Sequence, residues 1–212
     1  MEEQARSTVL PGVVRLREQR EALTRQTILN AARELFAERG YAATPVRELA
    51  RRAGVAPQTI YATYGSKAGV LAGLPDLVDQ EAGIVELFDA RLDTRDPVEL
   101  LRLLARTTRQ IRERCGDVIK VLRSGAAVEA DVAATLREGH RRRRLGVEAT
   151  LERVSAEGAL AGHLTVSQAA DIAVALLTDD VCEALVDSAG WSYDEYQDWL
   201  TGTLVTLLLG AP

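Results

Sequence analysis

The chain has 212 residues, 47% of them hydrophobic and 27% charged, with a formal net charge of −5; these are the values of an ordinary globular protein, with room for one large domain or two small ones that share contacts. No apolar run approaches the roughly 18–20 residues of a membrane span, and the acidic start Met1-Glu2-Glu3-Gln4 lacks the basic and apolar regions of a secretory signal, so a cytoplasmic protein with no membrane partner is expected. Cys115 and Cys182 read as reduced packing residues and His140 and His163 as isolated ones; without metal-type spacing, a Gly-rich phosphate loop or a Ser/His/Asp context, no cofactor and no enzymatic activity are expected.

Charge is unevenly distributed. Residues 1–75 carry eleven Lys/Arg against seven Asp/Glu, a balance of +4, while residues 76–212 carry fifteen against twenty-four, a balance of −9. A basic front on an acidic body suits a small DNA-reading head attached to a larger domain of another purpose.

In chain order, residues 1–19 hold Pro11, Gly12 and scattered charges without a clear period, and read as a flexible arm, more simply a solvated tail than one whose Arg6, Arg15, Arg17 and Arg20 reach toward a minor groove. The spacing of Ile28, Ala32, Leu35 and Phe36 predicts a helix over about 20–39, ended by Gly40. Thr44 is placed to cap a second helix with Pro45 at its first position and Val46, Leu49, Ala50 and Ala53 on its buried face. Gly54 permits a tight turn into a third, short helix over about 57–64, and Ser66 caps a fourth that Pro75 kinks or splits. Beyond this every pattern is helical. Starts are expected at Asp96-Pro97-Val98-Glu99, Asp117 after a break at Gly116, Thr165-Val166-Ser167-Gln168 and Ser192-Tyr193-Asp194-Glu195, the last with Trp191 and Tyr196 as a hydrophobic staple. A long helix is expected from Asp131 to Ala156. The fold class is all-α with about nine helices.

The stretch Thr44 to Lys67 carries the most specific information. Ile60 anchors the short helix inward and leaves Pro57, Gln58, Thr59, Tyr61, Ala62 and Thr63 near its exposed side. Gln58 can pair with an adenine edge, Thr59 and Thr63 with phosphate or base, and a methyl or proline ring can touch thymine. Tyr61 and Tyr64 offer hydroxyls on rigid rings, Lys67 lies at a helix N-terminus where its charge adds to the dipole, and Arg47 on the supporting helix can reach base or phosphate. This is the pattern of a helix-turn-helix head.

The arrangement closely resembles the TetR family of bacterial transcription regulators. Ile28-Leu29, Ala31-Ala32, Leu35-Phe36, Gly40-Tyr41, Thr44, Val46, Leu49-Ala50, Ala53-Gly54-Val55, Thr59-Ile60-Tyr61, Tyr64 and Ser66-Lys67 carry the likeness, over about residues 20–72. It implies that Thr44, Tyr61 and Lys67 bind phosphates and that Arg47, Pro57, Gln58, Thr59, Ala62 and Thr63 sit at or near the bases. Pro45, Ala56, Ala62 and Tyr64 depart from the commoner pattern; the two alanines leave specificity to shape and thymine methyls. The resemblance further implies a flexible arm over 1–19, a helix-turn-helix domain over 20–67 and an effector-binding, dimerising domain over 68–212. The regulator expected is a homodimer on double-stranded, pseudo-palindromic operator DNA, a repressor released by a small-molecule effector. Ile84, Leu87, Phe88, Leu104, Ile111, Val121 and Leu122 suit the pocket and equally a plain core. Ile172, Leu176, Leu200, Leu204 and Leu207 suit a dimer interface, though the last two helices can equally close the monomer core. His140 and the run Arg141-Arg142-Arg143-Arg144 sweep most of a helix circumference, so one or two arginines can face a pocket and hold an anionic effector, while the rest read as salt-bridged or solvated; with the apolar lining this leans toward a lipophilic, weakly anionic effector. The alternative reading is a helical small-molecule-binding or interaction protein that does not bind DNA.

Overall fold

The structure, a computed structural model, describes residues 11–210, apart from the side chains of residues 11–14, 79, 80, 84, 85 and 88. The helices are α1 Pro11–Arg39, α2 Val46–Ala53, α3 Pro57–Tyr64, α4 Lys67–Gly73, α5 Pro75–Glu81, α6 Ile84–Asp93, α7 Pro97–Ala126, α8 Ala130–Ala156, α9 Val166–Leu176, α10 Asp179–Cys182 and α11 Tyr193–Leu208, with a π-helical turn at Glu183–Ser188. Among the described residues no strand forms, only an isolated bridge between Leu160 and Leu209, so the all-α expectation stands. There are more segments than the nine or so expected because Pro75 does split the fourth helix and a short α10 precedes the π-helical turn.

The helix starts follow local chemistry. Asp96 accepts from the backbone N of Val98, and complete capping boxes join Thr165 to Gln168 and Ser192 to Glu195. Four details differ from the sequence reading. The first helix begins at Pro11 rather than near Arg20; its added turns are solvent-exposed from Arg15 on and carry an Arg17–Glu21 pair, so helix-forming residues extend it without an apolar stripe. Arg6 lies outside the described residues. Thr44 does not cap α2: the N-cap is Pro45, and the buried Thr44 hydroxyl instead donates to the Gly40 carbonyl at 2.9 Å. Asp117 starts no helix, because α7 continues through Gly116 with one non-helical residue, Cys115 (φ −132°, ψ 17°), and the Asp117 carboxylate is held by Arg33 at 2.6 Å. Trp191 meets Trp199 edge-on, ring centroids 6.1 Å apart, a pairing the staple with Tyr196 did not anticipate.

Two apolar cores share α7. One gathers α1 to α5 with the second half of α7, from Cys115 to Leu122, and Val132 of α8. The other gathers the first half of α7 with the later part of α8, α9, Cys182 of α10 and α11. The irregular residue Cys115 falls between these halves, and the carbonyl beside it, Arg114 O, accepts from Arg33 Nη2 of α1 at 2.7 Å. A side chain that takes a ladder carbonyl is a recognised cause of a helix bend. Gly125 allows α4 and α7 to touch, since a Cβ there would lie 2.3 Å from Leu71 Cδ2.

Candidate nucleic-acid interface and effector cavity

The short helix α3 is presented by its own packing. Ile60 is fully buried, as are Leu49 on α2 and Phe36 on α1; burying a side chain of that size is worth about 1.5–3 kcal/mol. Gly54, at φ +66°, supplies the left-handed turn between α2 and α3, and its neighbour Val55 N donates back to Ala50 O at 3.0 Å. With Ile60 inward, Gln58, Tyr61 and Ala62 are exposed and Pro57, Thr59 and Thr63 half-buried; Tyr61 is 52% exposed. Arg47 is exposed on α2.

Three predicted contact residues have structural occupations. Thr44 is buried, as described above. The half-buried Tyr64 donates its hydroxyl to Arg25 O at 3.2 Å, tying the end of α3 to α1. Lys67 Nζ donates to Tyr41 O at 2.9 Å and Thr44 O at 3.1 Å, and lies 4.2 Å from the centroid of the Tyr41 ring. The ammonium therefore gathers the carbonyls of the loop before α2 and adds a cation–π contact beneath it. These three side chains tie α3 and the loop before α2 to α1 and α4. The sequence reading missed a groove of about 770 Å³ between α1 and α3, lined by Leu16, Arg17, Arg20, Glu21, Thr24, Arg25, Thr59, Ala62 and Thr63. It sets arginines of α1 beside the exposed face of α3.

A second concavity lies within the body: a cavity of about 440 Å³ bounded by α5, α6, α7, α8 and the α9–α10 junction, within the size range of small-molecule sites. Of the residues proposed to line a pocket, Leu104, Ile111 and Leu122 do so. Leu87 and Val121 are buried in packing away from it. The side chains of Ile84 and Phe88 lie outside the described residues. Sequence reasoning missed Val78, Leu136 and Val147, the threonines Thr107, Thr108 and Thr135, and Arg91, Arg123 and His140, whereas Arg142 and Arg143 belong to the run of which one or two members were expected to face a pocket. Helical spacing held part of this information: Leu104, Thr107, Thr108 and Ile111 follow i, i+3, i+4, i+7. The arginine run divides as four successive helical positions must. Arg141 pairs with Glu138 at 2.7 Å, Arg144 binds Asp171 of α9, and Arg142 and Arg143 face the cavity.

The expected dimer residues also divide. Leu200 and Leu204 are fully buried in the chain's own core with Tyr196 and Leu208, so the i, i+4 stripe of α11 is turned inward and these two are not surface residues. Leu207 is 44% exposed, and Ile172 and Leu176 on α9 are half-buried.

Together these features define a helical protein with a helix-turn-helix head and a cavity-bearing body. Residues 28–74 match the family model for bacterial regulatory proteins of the tetR family, so the head of this chain is similar to the heads of that family. The chain is 40% identical over 52 residues to the HTH-type transcriptional regulator AlkX of Mycobacterium tuberculosis, 24% of this chain and 25% of AlkX. It is 33% identical over 79 residues to the HTH-type transcriptional regulator AcrR of Shigella flexneri, 37% of each. These matches thus span only 25% and 37% of those relatives' length. The likeness of the whole fold is broader. A transcriptional regulator from Saccharomonospora viridis in complex with choline superposes with TM-score 0.72 at 18% identity, over 88% of this chain and 98% of that one. FadR from Bacillus subtilis in complex with stearoyl-CoA does so with TM-score 0.71 at 19% identity, over 85% and 97%. No helix among the described residues is long and apolar enough to cross a membrane.

Proposed function

We propose that the chain is a transcriptional regulator, a non-enzymatic cytoplasmic repressor that binds double-stranded operator DNA as a homodimer and leaves it when a small molecule fills the body cavity. The observation that carries this is the face of α3: Gln58, Tyr61 and Ala62 point to solvent because a fully buried Ile60 holds the opposite side. An exposed, polar, short helix held by a companion helix is what entry into a major groove requires. Gln58 is the base-reading residue, Arg47 and the α1 arginines approach phosphates, and Lys67 organises the loop before α2.

Release follows from the path between cavity and head. Pro75 and Val78 line the cavity, and Pro75 directly follows the junction with α4, whose first residue is Lys67. A ligand that binds the DNA-incompetent shape more tightly shifts the population toward it by its difference in affinity. The two structural neighbours named with a bound small molecule, choline in one and stearoyl-CoA in the other, support a ligand-holding body here.

The test is selection of genomic fragments by the purified protein, then footprinting of the tightest fragment across salt. A protected, roughly palindromic site is expected, with affinity falling on the order of 10³–10⁵ between 50 and 200 mM salt if 6–10 phosphates are contacted. Absence of enrichment at low salt would overturn the reading.

A further inference from the structure

We propose that the groove between α1 and α3 seats the sugar–phosphate backbone of one operator strand, with Arg20 and Arg25 each holding a phosphate; this rests on the reading of the chain as a DNA-binding regulator. The ion pairs of the head supply the first part of the argument, because they sort its arginines into two sets. Arg52 meets Glu34 at 2.7 Å and Glu38 at 3.4 Å, while Arg51 and Arg39 meet Glu48 at 2.7 and 3.8 Å. Arg33 is held by Glu81 and Asp117. These cations are compensated within the chain. In the groove, Arg17 pairs with Glu21 at 2.9 Å. Arg20 and Arg25 are exposed and meet no carboxylate among the described residues. Three arginines against one carboxylate thus line the groove, a surplus of two positive charges.

The place of that surplus supplies the second part. The opposite wall, Thr59, Ala62 and Thr63 of α3, is uncharged. Ala62 also belongs to the exposed face of α3, with Gln58 and Tyr61, so the groove opens beside the reading face. A duplex whose bases meet Gln58 brings its backbone there. Size then decides which part of the duplex α1 meets. Residues 15–25 lie within the continuous helix α1. A helix with its side chains is about 10–12 Å across, and a minor groove is only about 6 Å wide. The arginines of α1 therefore stop at the phosphates and do not follow a minor groove as an extended arm does. Arg20 and Arg25 stand about 7.5 Å apart along the helix axis, so each can take its own phosphate. A guanidinium offers a fork of N–H donors to the phosphate oxygens.

The test is fluorescence anisotropy of the full chain on a labelled duplex of the tightest genomic fragment, from ~50 to ~200 mM salt. The parent is compared with R20Q/R25Q, R20K/R25K and R51Q/R52Q. R20Q/R25Q is expected to reduce the slope of log affinity against log salt by about 1.8, roughly 0.9 for each lost phosphate. Its loss of affinity should then be about tenfold larger at ~50 than at ~200 mM salt. R20K/R25K should keep the parental slope. R51Q/R52Q, which removes the same charge from paired positions, should keep it too. The order of preference among base-substituted operators should be the same in all four proteins, since phosphates carry no sequence information. Circular dichroism verifies the fold of each variant. An unchanged slope in R20Q/R25Q, an equal reduction in R51Q/R52Q, or an altered base preference in R20Q/R25Q overturns the proposal. A parent that binds with steep salt dependence beside an unchanged R20Q/R25Q slope sinks the backbone seat and leaves the regulator standing. A parent that binds no duplex at low salt sinks both.

Discussion

The hydroxyl of Tyr41 donates to a carboxylate oxygen of Glu129 at 2.8 Å, joining the loop before α2 to the residue that precedes α8. Lys67 lies over the same ring, so one aromatic side chain connects the reading head, the first residue of α4 and the body. Y41F removes the hydroxyl and retains the ring. Stability should fall by about 1.5–3 kcal/mol, the usual net worth of a hydrogen bond to a charged group, read as a shift of the urea midpoint with unchanged slope. Burial, and then Glu129, push the Tyr41 phenol well above its ordinary range. The folded state thus prefers the neutral phenol, and this contribution is complete below the free tyrosine value of about 10 and is lost as pH rises from there through the folded value. Y41F should flatten that alkaline decline; an identical alkaline profile in both proteins would show that the phenol does not govern it.

Arg33 and Asp117 should govern the acid side. Burial raises the Asp117 carboxyl, but hydrogen bonding and charge from Arg33 outweigh it and hold the group below the ordinary carboxylate range. The stabilisation is therefore present above the unfolded value of about 3.9 and is lost as pH falls through the folded one. D117N should lower the melting temperature near neutral pH, with the gap to the parent protein closing in acid. A gap independent of pH would mean that the loss is one of packing and not of charge.

Much of the head was legible in the sequence because its elements are local. Gly40, Gly54 and Ser66 fix helix ends through chemistry within four residues, and α3 occupies the span that its spacing predicted. What stayed hidden were side-chain choices decided by distant partners. Thr44 has the composition of a cap, yet its hydroxyl reaches the end of α1. Asp117 follows a glycine and looks like a helix start, yet Arg33 claims it from 84 residues away. The cavity shows the same limit: apolar periodicity identifies inward faces, but Leu122 lines a void while its neighbour Val121 packs solidly, and only the placing of α5 and α8 against α7 decides which.

Gln58 and Lys67 should separate reading from positioning. Q58A should relax the preference at one base pair of each half-site by about 1–3 kcal/mol, measured by binding to a panel of substituted operators. K67A should weaken all sequences together, since Nζ holds Tyr41 O and Thr44 O, and should also lower thermal stability. The salt dependence distinguishes the two ways this can arise. A slope reduced by about 0.9 would mark a direct phosphate contact, whereas an unchanged slope with lower stability would mark a residue that acts through the loop.

The outer face of α11 is where a second copy is testable without unfolding the first. Leu204 is fully buried and Leu207, three residues on, is 44% exposed. L204A should therefore destabilise the chain by about 2–5 kcal/mol, the cost of emptying a core leucine site, and any loss of dimer would follow from lost folding. L207R places a charge on the outer face, where substitutions away from packed features change stability by about 0.5 kcal/mol or less. If two chains meet along α9 and α11, L207R should sediment as a folded monomer at concentrations where the parent protein is dimeric, because a desolvated unpaired guanidinium is costly in an interface. A dimeric L207R with parental stability would place the subunit contact on another face and remove the outer side of α11 from the interface.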